Sequence, residues 1–361
     1  MKKLYFVVAA LIVASLVLSA CGGGAASDAL KVGQVTDLGG IDDKSFNATA
    51  YAGVEQAVKE LGVEGKYLES AQQADYEKNI QQFLDEDTDL IVTVGFLLGD
   101  ATKAAAEANP EAKFAIVDFA YDPTIPNVLG LVFATDQASF LAGYSAAAST
   151  KTGKVATWGG INIPPVADFM IGFEAGVKYY NAQKGADVEV LGWSSEAGDG
   201  SFIGGFESLD DGRSITESLV QEGADIVMPV AGPAGLGGAA YCAESGSCMI
   251  IGVDTDWTVS ASEYSSVILT SVLKNMNVAV FEAIKTVQDG TFAGGVYAGT
   301  LANNGVGLAD VAGASDELKA ELDARHRTQP SVRLKRQPHR RDPHRYWQAY
   351  RHTNRQRRSH P

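Results

Sequence analysis

The chain has 361 residues, and its 29 Lys and Arg face 44 Asp and Glu, which gives a formal net charge of −15 at neutral pH. All five histidines lie at His326 or beyond it, so the preceding part of the chain cannot support Ser-His-Asp or Cys-His catalysis or most zinc sites. A Walker A motif is missing, and the glycine spacing of Gly232–Gly237 does not match a dinucleotide fingerprint, which leaves use of ATP or NAD unsupported.

The first twenty residues have the pattern of a secretory signal peptide. Lys2 and Lys3 supply a positive start, and Leu4–Leu18 form an apolar stretch that is short for a bilayer span. Leu18–Cys21 fits the lipobox of bacterial lipoproteins, which predicts a lipid on Cys21 and a flexible linker through residue 29. The alternative is a retained membrane helix with an incidental cysteine.

Residues 30–324 alternate short β-rich runs with longer amphipathic or Ala-rich runs, the pattern of parallel sheets with crossover helices. The predicted strands are Lys31–Val35, Lys66–Glu69, Leu90–Val94, Phe114–Val117, Val128–Val132, Lys154–Thr157, Val188–Leu191, Ile226–Pro229, Met249–Val253 and Val267–Ser271. The predicted helices are Ser45–Leu61, Tyr76–Leu84, Ala101–Ala108, Gln137–Ser149, Phe169–Asn181, Arg213–Glu222 and Val278–Gln288. The fold class is therefore α/β.

About 300 residues exceed what one core usually accommodates, so we expect two lobes. The first lobe is assigned residues 30–135 and about 272–297, and the second is assigned 136–271 and about 298–324. The chain would cross between them around Ala134–Gln137 and near Thr270 and Tyr297. Loops rich in Gly, Asp and small polar residues follow the strands, and in parallel sheets such loops line the ligand site. They are Thr36–Asn47, Gly95–Asp100, Asp118–Asp122, Gly159–Val166, Trp193–Phe206, Ala231–Gly238 and Asp254–Val259.

The loop after the first strand raises one enzymatic alternative. Asp37, Asp42 and Asp43 are similar to the calcium-binding start of nucleoside hydrolases, but that family has another aspartate where this chain has Val35. Because hard cations need several oxygen ligands, the loss weakens a calcium-dependent hydrolase hypothesis. We predict no metal site, no cofactor and no enzymatic activity.

Cys242 and Cys248, the two cysteines besides Cys21, lie six residues apart in a short Gly- and Ser-containing stretch. A local disulfide fits an oxidising compartment. A metal site without a third nearby ligand and two free thiols are the alternatives that the spacing leaves open.

From Arg325 to Pro361 the composition changes to eleven Arg and one Lys against one Asp, whereas the preceding chain has only Arg213. A basic arm for nucleic acid or anionic lipid is one interpretation. The near absence of aliphatic residues and of periodicity favours a disordered tail, frameshifted or otherwise non-native.

Several blocks together resemble the basic membrane protein family, the purine nucleoside receptor lipoproteins that serve as substrate-binding components of ABC importers. They span about Lys31 to Gly307. The matching blocks are Gly39–Asn47, Tyr51–Gly53, Phe169–Val177, Gly223–Ile226, Val230–Gly237 and Gly252–Asp256. The resemblance implies the two-lobed type I periplasmic binding protein fold. It also implies a further helix and strand where the basic tail stands here.

A nucleoside receptor needs flat apolar faces for the base and carboxylates or amides at fixed points. On this resemblance we expect Phe46 and Phe206 to stack on the base, with Phe169 as a third aromatic candidate. Asn47 and Asp118 would bind the polar edge of the base, and Asp37 is also predicted to bind the ligand. The ribose would be held by Asp254, Lys274 and backbone groups around Gly232.

These observations predict a monomeric, lipid-anchored receptor on the outer face of the cell membrane. It would capture a nucleoside, purine by preference, and deliver it to an ABC permease, without binding nucleic acid. A sugar receptor of the same fold and the calcium-dependent nucleoside hydrolase are the alternatives.

Overall fold

The computed structural model describes residues 29–328. The predicted signal peptide, Cys21 and most of the linker therefore lie outside the described residues, as does the chain after Thr328. Among the residues described, no helix is both long and apolar enough to span a bilayer.

Two six-stranded sheets, numbered along the chain, form the framework. The first is entirely parallel, and its central strands are apolar and buried, as in sheets that crossover helices cover on both faces. Its strands are, in spatial order, β13 (Gly295–Gly299), β5 (Val128–Phe133), β4 (Phe114–Val117), β3 (Leu90–Val94), β1 (Lys31–Val35) and β2 (Glu64–Leu68).

The second sheet is parallel except at one edge, where β14 pairs antiparallel with β12. Its order is β14 (Val306–Leu308), β12 (Ile268–Lys274), β11 (Met249–Asp254), β10 (Ile226–Val230), β6 (Lys154–Gly159) and β7 (Glu189–Leu191). A small hairpin of β8 (Trp193–Ser194) and β9 (Asp199–Gly200) lies beside it. The predicted α/β class with two mostly parallel sheets is confirmed.

Ten helices occur in the described part of the chain. They are α1 (Phe46–Leu61), α2 (Tyr76–Asp85), α3 (Gly99–Ala108), α4 (Thr135–Ser149), α5 (Pro164–Lys184), α6 (Leu209–Gln221), α7 (Gly235–Ser245), α8 (Trp257–Ser260), α9 (Met276–Gln288) and α10 (Asp316–Thr328). Helix α9 packs on α1 of the first lobe, and α4 packs along α5 of the second. The chain thus passes between lobes after β5, after β12 and after β13.

Two crossovers lie a few residues later than the positions predicted near Thr270 and Tyr297. Thr270 lies inside β12, and the crossover falls at Asn275, because the strand continues three residues further than predicted. Tyr297 lies inside β13, and the last crossover follows Gly299. Strand β12 as far as Lys274 therefore belongs to the second sheet, which moves the lobe boundary predicted near residue 272.

The predicted start of the disordered tail at Arg325 is also wrong, because α10 continues to Thr328. The Arg325 guanidinium lies 4.0 Å from the centre of the Tyr144 ring, and its Nη1 donates a hydrogen bond to the Glu321 carbonyl at 2.7 Å. The first residue of the basic composition thus packs against the second lobe through α4. The predicted tail after Thr328 lies outside the described residues.

Candidate functional site

Residues at the carboxyl ends of strands from both sheets line one cleft, which is where ligands bind in parallel sheets with crossover helices. A cavity lies there, and every residue predicted to bind ligand lines it. These are Asp37, Phe46, Asn47, Asp118, Phe169, Phe206, Gly232, Asp254 and Lys274. The chain thus gathers side chains that are up to 237 residues apart in sequence.

Asp43 fixes the loop that leads into α1. Its carboxylate accepts hydrogen bonds from the backbone N–H groups of Ser45, Asn47 and Ala48 at 2.7 to 3.0 Å. These donors belong to the first turn of the helix, where backbone N–H groups otherwise lack partners. Burial raises the pKa of Asp43, and the three N–H donors oppose that rise. The capped turn sets the positions of Phe46, which is half-buried, and Asn47, which is buried.

Asp37 and Asn47 form a hydrogen-bonded pair at the first-lobe wall of the cavity. Asn47 Nδ2 donates to Asp37 Oδ1 at 2.9 Å, and the Asn47 carbonyl accepts from Gln34 Nε2 at 3.1 Å. Gly95 lies against the carboxylate, since a Cβ there would stand 2.5 Å from Asp37 Oδ2. Burial raises the pKa of Asp37 well above its ordinary value, and the Asn47 hydrogen bond opposes this rise.

Lys274, the last residue of β12, joins the lobes through Asp118 at the end of β4. Its Nζ lies 2.5 Å from Asp118 Oδ2, and the two side chains are only 2% and 8% exposed. The ammonium also lies 4.9 Å from the ring centre of Phe46, 5.4 Å from that of Phe133 and 5.8 Å from that of Phe169. These distances are within the range of cation–π attraction.

Asp254 ends β11 in the left-handed region, with φ of 71°, which turns its carboxylate into the cleft. Its Oδ2 accepts a hydrogen bond from Ser45 Oγ at 3.0 Å, a second polar contact between the lobes. Burial raises the pKa of Asp254 to about 6, although the Lys274 charge lowers it. A third contact, Lys44 Nζ to Glu263 Oε1 at 2.9 Å, joins the lobes at the exposed surface.

The aromatic side chains and one glycine complete the predicted set. Phe169 is buried in α5, whereas Phe206 is half-buried in the loop before α6 and packs on Gly160. Gly232 has φ of 52° and begins the short turn before α7, with no atom within 4 Å of the position of a Cβ. Its backbone therefore faces open space, where a ligand can approach it.

Charge in the cavity lining is strongly unbalanced. Asp37, Asp43, Asp118 and Asp254 face a single cation, Lys274, among the described residues of the lining. Their arrangement provides no group of three or more His, Cys, Asp or Glu side chains suited to a metal ion in the part of the chain described. The cavity instead offers aromatic faces beside hydrogen-bond acceptors, which suits a flat ligand rich in N–H or O–H donors.

The sequence did not identify the apolar wall of the cavity. Phe96, Leu97, Ile163 and Val166 line it. Two of the loops predicted to face the cleft carry them, but which side chains point inward depends on local turns. Phe133, beside Lys274, is likewise absent from the predicted site residues, although it directly follows a predicted strand at a crossover.

Cys242 and Cys248 are joined in a disulfide, with their Cα atoms 5.0 Å apart. The bond links the end of α7 to the residue before β11. Gly232 lies in the turn before α7 and Asp254 ends β11, so the disulfide lies at the ends of these elements remote from the cavity.

Comparison with known proteins places the chain among solute receptors. A family model described as "ABC transporter substrate-binding protein PnrA-like" matches residues 30–331. Basic membrane protein A of Borreliella burgdorferi is 35% identical over 290 residues, covering 78% of this chain and 80% of that protein. An uncharacterised lipoprotein of Pyrococcus horikoshii is 32% identical over 329 residues, covering 86% of this chain and 78% of the relative. A crystal structure of an ABC transporter solute-binding protein from Aeropyrum pernix K1 is similar with a TM-score of 0.70 and 31% identity, covering 84% and 82% of the two chains.

Proposed function

This chain belongs to the PnrA-like family of ABC transporter substrate-binding proteins, and from that membership we propose that it captures a nucleoside, purine by preference, in the cleft. The type I periplasmic binding protein fold predicted from the resemblance is confirmed by the solute-binding protein that shares it. In the proposal the lobes close over the nucleoside, and a membrane permease then receives it. Closure about three crossovers is a hinge motion of the kind that two-lobed receptors use.

The observation that carries this proposal is the combination of aromatic rings and buried carboxylates around one cavity. Phe46 and Phe206 provide flat apolar faces from opposite lobes, as stacking on a base requires. Asn47 and Asp118, both in the first lobe, provide polar atoms for the edge of the base.

Asp254, Lys274 and Gly232 supply the proposed ribose site. An ionised carboxylate presents two acceptor oxygens, which can receive both hydroxyls of a ribose diol. Lys274 can donate to a ribose oxygen while retaining Asp118, because an ammonium has three N–H donors. The open backbone at Gly232 adds a main-chain contact.

Each carboxylate of the cavity already has a role in positioning. Asp43 caps α1, Asp37 holds Asn47, Asp118 holds Lys274, and Asp254 holds Ser45. This arrangement favours capture over cleavage of the nucleoside. A nucleoside incubated with the protein and calcium should remain intact, and release of free base would instead support the hydrolase alternative.

Titration calorimetry with guanosine, inosine, adenosine, uridine and ribose tests the proposal. We expect purine nucleosides to bind and ribose alone to bind far more weakly. Binding of ribose with the affinity of a nucleoside would favour the sugar receptor and contradict the nucleoside claim.

Variants of the cavity give a second test. Phe46→Ala and Asp254→Ala should each weaken nucleoside binding by at least ~1 kcal/mol, through lost stacking and a lost charge-assisted hydrogen bond. Tyr67→Ala is the matched control, since Tyr67 is 43% exposed on β2 and does not line the cavity. Wild-type binding by both cavity variants would show that the ligand lies elsewhere.

The proposal also places the receptor on the outer face of the cell membrane, as a monomer held by a lipid on Cys21. The cysteine follows the signal-like segment, and a relative named a lipoprotein supports this part. Cys21→Ser should release the protein from the membrane fraction into the soluble fraction. Retention of the variant on the membrane would contradict lipid anchoring.

A further inference from the structure

A short segment before α1 connects the two lobes. The Asp43 carboxylate ties this segment to the first lobe through the backbone N–H groups at the start of α1. Lys44 Nζ lies 2.9 Å from Glu263 Oε1 of the second lobe. Ser45 Oγ donates to Asp254 Oδ2 of the same lobe at 3.0 Å. Two adjacent side chains thus make an exposed and a buried contact with the opposite lobe.

Lys44 has a backbone conformation that costs energy. Its φ is 53°, in the left-handed region that residues other than glycine rarely occupy. Such strain persists only where the surroundings impose it, and it is concentrated at ligand clamps and switch regions. Lys44 lies between Asp43, which binds the start of α1, and Ser45, which binds Asp254. The strained turn therefore belongs to the connection between the lobes.

Glu263, the partner of Lys44, lies on an element that is fixed to the second lobe. It is part of the short 3₁₀ helix Ser262–Val267, between α8 and β12. Trp257 of α8 is 1% exposed, and its backbone N–H donates to Ser271 Oγ of β12 at 3.0 Å. Because each partner is anchored to its own lobe, separation of the lobes breaks the Lys44–Glu263 ion pair.

This ion pair lies where ions of the solvent reach it. The Lys44 and Glu263 side chains are 47% and 48% exposed, whereas those of Lys274 and Asp118 are 2% and 8% exposed. Salt screens exposed charges much more than buried ones. The hydrogen bond from Lys44 lowers the pKa of Glu263, so the carboxylate is charged at neutral pH. Ionic strength therefore acts on the exposed pair much more than on the buried one.

We propose, on the basis of the function proposed above, that the Lys44–Glu263 ion pair is a latch on the closed lobes, so that ionic strength sets how long a nucleoside stays bound. Lys44 is then a positioning residue, because it holds the lobes together from outside the lining of the ligand cavity. A nucleoside is uncharged at neutral pH, so salt acts on its release through the latch and not through a charge on the ligand.

Stopped-flow displacement of guanosine from the purified protein tests the latch. The wild-type protein should release guanosine about two- to fivefold faster in about 0.5 M NaCl than in about 0.05 M NaCl, as expected for the loss of an exposed ion pair. Lys44→Met should show the faster rate at both salt concentrations, and its association rate should change by less than about twofold. An equal salt response of the two proteins would overturn the proposal.

Charge exchange separates a latch from a structural role. Lys44→Glu alone should release guanosine faster still, because two carboxylates then face each other. The double variant Lys44→Glu with Glu263→Lys should return to within about twofold of the wild-type rate. Lys66→Met is the matched control, since Lys66 forms an exposed ion pair of the same 2.9 Å length with Glu86 inside the first lobe. Release that stays fast in the double variant, or that Lys66→Met accelerates equally, would contradict the latch.

A measurement on the ligand-free protein keeps this test separate from that of the proposed function. Nitroxide labels at Lys59→Cys and Ser218→Cys, exposed positions of α1 and α6, report the separation of the lobes by pulsed electron resonance in the Cys21→Ser protein. Lys44→Met should lower the ratio of short to long label distances about two- to fivefold. If guanosine does not bind and this ratio falls, the proposed function fails and the latch stands, whereas an unchanged ratio would overturn the latch.

Discussion

Replacing Lys274 with Met tests the electrostatic basis of the site. Methionine keeps much of the aliphatic contact with Phe46 and Phe133 but removes the only cation of the described cavity lining. Asp118, whose side chain is 8% exposed, is then left beside Asp37 without its partner at 2.5 Å. Breaking a buried ion pair by removing one member costs about 3–5 kcal/mol.

Protonation of the carboxyl that has lost its ion-pair partner limits the loss of stability. Protonating an Asp with an ordinary pKa of about 3.9 costs about 4 kcal/mol at pH 7 and about 1.5 kcal/mol at pH 5. Lys274→Met should therefore lower the free energy of unfolding of the ligand-free protein by roughly 3–4 kcal/mol at pH 7 and by less than half of that at pH 5.

Urea denaturation at the two pH values measures this difference, with Lys44→Met as the matched control. Lys44 also bridges the lobes, to Glu263, but both side chains are nearly half exposed, so its loss should cost less than about 1 kcal/mol. The double variant Lys274→Met with Asp118→Asn should recover at least half of the stability. The reasoning is refuted if Lys274→Met costs no more than Lys44→Met at pH 7.

Three further variants test other parts of the structure. Asp254→Asn should stabilise the ligand-free protein by up to roughly 3 kcal/mol above pH 6. The pKa of the Asp254 carboxyl rises to about 6 on folding, so this carboxyl destabilises the folded protein increasingly as the pH climbs from about 4 to 6. A stability gain of the variant that persists at pH 4 would contradict the assignment. Gly95→Ala should cost about 1–3 kcal/mol in thermal unfolding and weaken binding, because its Cβ would stand 2.5 Å from Asp37 Oδ2 at a φ of 120°; wild-type behaviour would argue against that close packing. Arg325→Ala should cost about 1–2 kcal/mol through lost contact with Tyr144, and an unchanged melting temperature would show that α10 does not depend on this residue.

Much of the framework was predictable because buried parallel strands are short, apolar and regularly spaced. Lys31–Val35, Leu90–Val94 and Phe114–Val117 have the predicted bounds. The prediction ended β12 too early because its last residue is Lys274, a charge that sequence patterns place at the surface. Here the lysine is buried by its pairing with Asp118, which only the meeting of two lobes provides.

The prediction of a loop over Ala231–Gly238 is wrong at its end, because α7 begins at Gly235 despite the glycines there. Gly237 lies inside the helix, and a Cβ there would stand 1.9 Å from the Leu209 carbonyl oxygen. The glycine therefore permits close packing of α7 on α6 and does not make a turn. Sequence alone does not distinguish these two uses. The same limit applies to the site, since Asn47 and Asp37 could be named but their shared hydrogen bond could not.

A crystal structure of the protein grown with guanosine tests the central claim most directly. We expect the base between the rings of Phe46 and Phe206 and the ribose hydroxyls within hydrogen-bond distance of Asp254. A nucleoside bound outside the cleft, or in the cleft without contact to either ring, would contradict the claim that this cavity captures nucleosides.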